Sequence, residues 1–401
     1  ATKKRIFVCP NCWKKLDKKE ALAISTHPDL YGDELLGEDA PLRFTPGITN
    51  EQGLPIDSMG SPCTEFACPH CHHKLPPFFD LSKQHIFSLV GIPAAGKTYY
   101  LASLVHQLSR ELPREFNVPF RDADPINNTI LNDMSLRLFT GKSPLDAYLG
   151  KTRLEGSLYQ KVWRHQHFSD MPRPFIYNIN KSDEAYSVVL YDNAGEHYEP
   201  GRSGEDSPGA EHLAIASSIL YLFDPTTNLG FRNLLRDNKD PQLQRKAGAV
   251  GQQGLLLAET EMRLRTRLNV PPGRKVNVPI AVMIGKCDIW QHLLGPEPLL
   301  PIVRHGVYLP EHVNANSARL RRFLFNISPN ICSNAEAISD NVRYFAVSAL
   351  GKSPIECVDE LTGRTVIAPD TSGIDPIRVA DPFIWALNCC EPDIFPSPIK
   401  Q

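Results

Sequence analysis

A chain of 401 residues with 42% apolar content is long enough to bury one large core plus a small appended module, or two medium domains. Its formal net charge is -2, from 43 basic and 45 acidic residues, so no global field recruits nucleic acid or an anionic membrane, and any such contact must come from a local patch. No run of 18 apolar residues and no charged-then-apolar leader occurs, so neither a membrane span nor a signal peptide is expected and the setting is read as cytoplasmic.

In chain order, the first feature is a pair of cysteine knuckles, "CPNC" and "CPHC", at Cys9, Cys12, Cys68 and Cys71. Ten cysteines in a reducing compartment are not a disulfide framework. Two C-x-x-C pairs supply four thiolates, the donor set of a closed, structural Zn²⁺ site. The long spacing between the knuckles requires an insertion, so residues 1–80 are read as a zinc-ribbon-like module with an inserted loop. Neither pair opens a helix after a strand, which disfavours a redox dithiol. Cys63, His70, His72 and His73 lie near enough to replace a thiolate, or are spare polar residues. Lys3, Lys4, Arg5, Lys14, Lys15, Lys18 and Lys19 make the module basic: either a solvated surface or a contact for nucleic acid or a partner.

From residue 85 the texture changes. Short apolar runs at His85–Val90, Phe175–Ile179, Ser187–Tyr191, Ser218–Phe223, Pro279–Ile284 and Arg343–Val347 have the length of buried strands, with helical patterns between most of them. This predicts an α/β fold, a three-layer sheet mostly parallel with one antiparallel strand, because the second and third runs are close enough to form a hairpin. The sheet domain is placed at 85–391, with helical inserts near 113–170, 225–277 and 289–341 and a tail at 392–401. Within the inserts, residues 126–140, 243–268 and 313–327 read as helices.

"GIPAAGKT" follows the first of these runs and fits G-x-x-x-x-G-K-[ST] at Gly91, Gly96, Lys97 and Thr98. The helix after it shows Leu101, Leu104, Val105, Leu108 and Leu112 on one face. Backbone N–H groups of the loop, including Ala94 and Ala95, and of the helix start suit a phosphate chain. Lys97 would bridge the β- and γ-phosphates, and the Thr98 hydroxyl would ligate Mg²⁺. In "VVLYDNAGEH", Asp192 ends a strand where it can hold the Mg²⁺ shell, and Gly195 can offer its N–H to a γ-phosphate. "IGKCD" places Lys286 and Asp288 past another strand, where a carboxylate can accept the N1–H and N2–H₂ edge of guanine. "VSAL" places Ser348, Ala349 and Leu350 after the last strand, with the Ala349 N–H directed to guanine O6.

With "GIPAAGKT", "DNAG", "GKCD" and "SAL" in this order, residues 85–390 resemble the P-loop GTPases of the translation-factor and Ras-like (TRAFAC) class. The long inserts, "YDNAGEH" and the closing "IRVADPFIWAL" are also similar to the bacterial double-GTPase families, a resemblance that implies a role in conflict and phage defence. The resemblance implies GTP or GDP with Mg²⁺, a switch threonine for which Thr152 is the choice, and a catalytic-water contact from Glu196, His197 or neither. Arg153 reads as an arginine finger in cis or a solvated side chain. Two departures matter: Gly285 stands where Asn or Thr usually precedes the lysine, and Glu196 follows the switch glycine. The first is expected to weaken guanine affinity and the second to slow hydrolysis. The resulting reading is a Mg²⁺-dependent GTP-binding switch with slow hydrolysis, controlling association with a protein partner, another copy of itself, or nucleic acid. The alternatives are a nucleotide-binding scaffold without turnover and a P-loop ATPase.

Overall fold

The computed structural model describes residues 7–150, 158–192, 208–245, 251–271, 273–359 and 362–398. Its centre is a seven-stranded sheet built from β1 (Lys83–Val90), β2 (Phe120–Asp122), β3 (Phe175–Lys181), β4 (Glu184–Asp192), β5 (Ser218–Phe223), β6 (Ile280–Ile284) and β7 (Val342–Ala346). The spatial order is β7-β6-β5-β1-β4-β3-β2. Strands β7, β6, β5, β1 and β4 pair in parallel, β3 runs antiparallel to both β4 and β2, and so one strand of the seven is reversed. The central strands are buried along nearly their whole length, which is why they read as continuous apolar runs. β2 has no counterpart among the apolar runs of the sequence, because "FRD" at a sheet edge is three residues long and mostly exposed.

The longer helices among the described residues are α1 (Lys97–Phe116), α2 (Pro125–Thr140), α3 (Pro208–Ile215), α4 (Gln252–Leu268), α5 (Pro310–Ile327), α6 (Pro329–Ile338) and α7 (Asp381–Cys390). They start where the backbone has a reason to turn: Asp124 accepts from the Asn127 N–H ahead of α2, with Pro125 in its first turn. One face of the sheet takes α7, through Phe87 against Phe383 and Phe345 against Trp385, centroids 4.8 and 5.6 Å apart. On the other face the Tyr221 hydroxyl donates to the Gln253 carbonyl in α4, and the Tyr344 hydroxyl to Glu336 in α6.

The same second face, under β1, β4 and β3, is covered by the four-cysteine module. Phe7, Trp13, Leu16, Leu75 and Phe79 form one buried cluster with Ile86, Ile176, Val189 and Tyr191 of the sheet and with Val162 and Met171 of the hairpin Tyr159–Arg164/His167–Pro172. The Tyr191 hydroxyl donates to the Pro10 carbonyl at 2.6 Å. Trp13 lies edge-on to Tyr191, and its ring is 4.9 Å from that of His212 in α3. Ser88 of β1 is 2.8 Å from the same histidine, and the Arg164 guanidinium sits over the Trp13 ring. The module therefore serves as a layer of the fold.

A further hairpin, β8 (Ile355–Asp359) and β9 (Arg364–Ala368), stands between β7 and α7. No helix among the described residues is long and apolar enough to cross a membrane.

Candidate functional site: a phosphate loop, a base loop and a four-cysteine centre

β1 delivers the chain to Gly91 at the carboxyl end of the sheet. A Cβ at Gly91 would meet the Leu222 carbonyl oxygen of β5 at 2.8 Å, so the neighbouring strand requires the first glycine of the loop. Ala94 and Gly96 take positive φ (62° and 96°), which curls the loop into the start of α1. The Lys97 ammonium donates to the carbonyls of Gly91 and Ile92, 2.9 Å each, and so lies across the concave side of the loop. The Thr98 hydroxyl donates to Asp192 Oδ2 at 2.6 Å, with both side chains buried. A hydroxyl and a carboxylate brought together by a phosphate loop are hard oxygen donors, a set that fits Mg²⁺ bridging to phosphate oxygens.

The loop after β6, where the sequence reading places the base, is tied to the end of β5. The Lys286 ammonium donates to Asp224 Oδ1 (2.8 Å) and to the Thr226 hydroxyl (2.9 Å). Asp224 in turn accepts from the Thr226 N–H and hydroxyl, while its backbone N–H goes to Gln253. The Trp290 indole N–H reaches the Gly285 carbonyl at 2.8 Å, and the Cys287 N–H bonds the Val347 carbonyl beside Ser348. A Cβ at Gly285 would sit 3.1 Å from the Phe223 carbonyl and 3.2 Å from Leu222 Cδ1. The loop from Gly285 to Trp290 is thus held by Asp224, Thr226 and its own Trp290. No motif flags Asp224, and its position at the end of β5 was the only available signal.

These loops border one cavity of about 450 Å³, within the range of small-molecule sites. Its walls include Ala94, Ala95, Gly96, Lys97 and Thr98 from the loop before α1, and Lys286, Asp288, Ser348, Ala349 and Leu350 from the loops after β6 and β7. Asp288 is raised above the ordinary carboxylate range by burial, with the Ser348 hydroxyl and Lys286 opposing that shift and Asp240 adding to it. The Ala349 carbonyl accepts from Ser103 of α1, which fixes this loop to the phosphate-loop helix. Three further contributors escaped the sequence reading: the segment Asp240–Arg245, Tyr99 with Tyr148–Gly150, and β9. They carry no recognisable motif.

Gly195, Glu196 and His197 lie outside the described residues, as do Thr152 and Arg153. Thr129 and Thr140 donate their hydroxyls to carbonyls one turn back in α2.

Cys9, Cys12, Cys68 and Cys71 converge in the module, their sulfurs within 4.8 Å of one another. Cys9–Cys71 and Cys12–Cys68 sulfurs are 3.8 and 3.7 Å apart. A tetrahedron with metal–sulfur bonds of about 2.3 Å has edges of about 3.8 Å, so the donor set fits Zn²⁺. The knuckles are built alike: Trp13 and His72, each four residues after the first cysteine of its pair, take positive φ and donate N–H to that cysteine's carbonyl. The neighbouring candidates are engaged elsewhere, His72 with Asp33, His73 with the Lys161 carbonyl, and Cys63 with the Ser61 carbonyl.

No family model matches this chain. A curated protein described as an ESX-1 scaffolding and assembly protein, SaeC of Mycolicibacterium smegmatis, is 25% identical over 350 residues, covering 82% of this chain and 81% of that protein. Among solved structures, nucleolar GTP-binding protein 1 from Plasmodium falciparum aligns over 80% of this chain and 91% of its own, at 11% identity and a TM-score of 0.32. The Arl6 small GTPase from Trypanosoma brucei aligns over 77% of this chain and 99% of its own, at 9% identity and a TM-score of 0.26. The chain is a mixed α/β protein with a seven-stranded, mostly parallel sheet, a glycine-bearing loop between β1 and α1, and an N-terminal four-cysteine cluster.

Proposed function

We propose that the chain is a guanine-nucleotide-binding scaffold, in which the bound nucleotide and Mg²⁺ set the shape of a surface that holds protein partners. The observation that carries this reading is the 2.6 Å contact between Thr98 and Asp192, with Thr98 lining a cavity that Lys97 and Asp288 also line. Lys97 and the loop N–H groups would hold the phosphates, Thr98 and Asp192 the Mg²⁺ shell, and Asp288 with Ala349 the guanine edge. The bound Mg²⁺ would neutralise phosphate charge. Zn²⁺ held by Cys9, Cys12, Cys68 and Cys71 would have a structural role, since four thiolates leave no open position. The scaffold reading is favoured over a turnover enzyme by the 25% identical relative, whose name speaks of scaffolding and assembly. Its partner would be another protein or a second copy of this chain, with nucleic acid reached through the basic module as the remaining option.

A second reading, slow GTP hydrolysis timing the same association, rests on Glu196 or His197 contacting the attacking water and on Thr152 ordering with the γ-phosphate. Measurement of GDP, GTP and ATP affinities for wild-type protein and Lys97→Ala tests the core proposal. Micromolar or tighter guanine-nucleotide binding, lost in the variant, is expected; binding that survives unchanged refutes the site. Competition by ATP at equal strength would favour the ATPase reading. Single-turnover assay separates scaffold from enzyme: phosphate released within minutes in a Glu196-dependent manner would replace the first reading with the second.

A further inference from the structure

The phosphate and base loops account for the two ends of a nucleotide, but a purine and its ribose also need their faces removed from water. Motifs at strand ends cannot do this. In the cavity the cover comes from β9 and the residues flanking its hairpin: Val366 and Ile367 are half-buried and line it, with Pro354 and Pro369 buried at the hairpin's base. β8 runs on the outside of β9, with Glu356 opposite Ile367. Across the cavity mouth stands the segment after β5, where Asp240 caps the short helix Pro241–Gln244 and Gln242 and Arg245 line the wall.

The two sides meet. Arg245 is 3.1 Å from Glu356, joining the segment after β5 to the hairpin after β7. Arg232 holds that segment in place by donating to the carbonyls of Leu243 and Arg245 from one side and of Thr226 from the other. Thr226 is also the residue that Lys286 grips. The wall opposite β9 is therefore built on the same ties as the base loop.

We infer that the β8–β9 hairpin is the roof of a nucleoside subsite, with the cavity face of β9 against the purine–ribose end and Arg245–Glu356 as its latch. This rests on the nucleotide reading above. It adds that a large share of affinity and the residence time come from residues outside the four motifs. Apolar cover over a ring contributes through area removed from water. The latch, being exposed, contributes little equilibrium energy and acts on release.

The test compares GDP with inorganic tripolyphosphate, both with Mg²⁺, on wild-type protein and on a variant in which residues 355–368 are replaced by a four-residue Gly-Ser link. The hairpin pairs with no strand of the central sheet, so the variant is expected to keep the wild-type circular dichroism and thermal transition. The expected result is a loss of at least tenfold in GDP affinity with tripolyphosphate affinity unchanged. Arg245→Glu and Glu356→Arg singly should speed GDP release about threefold, and together restore it. A shortened variant that binds GDP as wild type does overturns the roof and leaves the nucleotide reading standing. Wild-type protein that binds neither ligand overturns both. If the shortened chain fails to fold, Val366→Asp and Ile367→Asp, made singly, decide: GDP affinity unchanged in both variants overturns the roof.

Discussion

The Tyr191 phenol donates a 2.6 Å hydrogen bond to the Pro10 carbonyl, joining the last turn of sheet before Asp192 to the loop between the first two cysteines. Both partners are buried. Tyr191→Phe leaves that carbonyl unsatisfied in an apolar cluster, a loss of about 1–2 kcal/mol. Chemical denaturation should show a lower midpoint with an unchanged slope. Because Asp192 follows directly in the chain, Mg²⁺-dependent nucleotide affinity should fall as well, and affinity equal to wild type would show that the module does not support the site.

The four-thiol centre predicts one zinc per chain by elemental analysis. Cys12→Ser should lower that stoichiometry well below one and depress the thermal transition. Metal removal by a strong chelator should do the same to wild-type protein, because metal-binding energy in such a module is folding energy. Full metal content in Cys12→Ser would show that a side chain other than these four completes the coordination.

Asp288 carries a prediction in two parts. Replacing it by Asn exchanges an acceptor for a donor at the base edge, so preference should move from guanosine to xanthosine diphosphate by about tenfold or more. Since burial holds this carboxyl above its ordinary value, guanine selectivity should also be lost on acidification at a higher pH than an exposed aspartate would require. Selectivity that is flat down to the ordinary carboxylate range would remove Asp288 from the role.

Glu111 on α1 is pushed up to about 7 by burial, reinforced by the charge of Asp381. Its folded-state value thus exceeds the unfolded one, so the native state binds the extra proton between the two and loses stability as pH rises from about 4.5 to about 7. Glu111→Gln should remove this slope and raise the melting temperature at pH 8 by about 2 °C. A steeper dependence in the variant would contradict the assignment.

The central strands were legible because parallel strands buried on both faces are apolar without interruption, as in Ile280–Ile284 and Ser218–Phe223. The reversal of β3 was legible from the short polar turn before β4. What was not legible depends on distant pairings. Nothing local to Trp13 says that it will rest against Tyr191 and His212. Asp224 looks like any aspartate after a strand until Lys286 reaches it. The β8–β9 hairpin alternates weakly and is half exposed, so its strands carry little of the apolar signal that marked the core. The glycine at 285 was visible in the sequence, but the bonds that hold Lys286 were not, because Asp224 and Thr226 come from the end of a different strand.

The seating of the cysteine module against Ile86, Ile176, Val189 and Tyr191 bears on biosynthesis. Each such side chain left in water forfeits about 1.5–3 kcal/mol, a sum comparable to the whole stability of an ordinary domain. A chain made in zinc-starved cells would thus present a sticky sheet face. Zinc supply would then govern how much of this protein survives synthesis, and supplementing the growth medium would raise soluble yield more than adding nucleotide would.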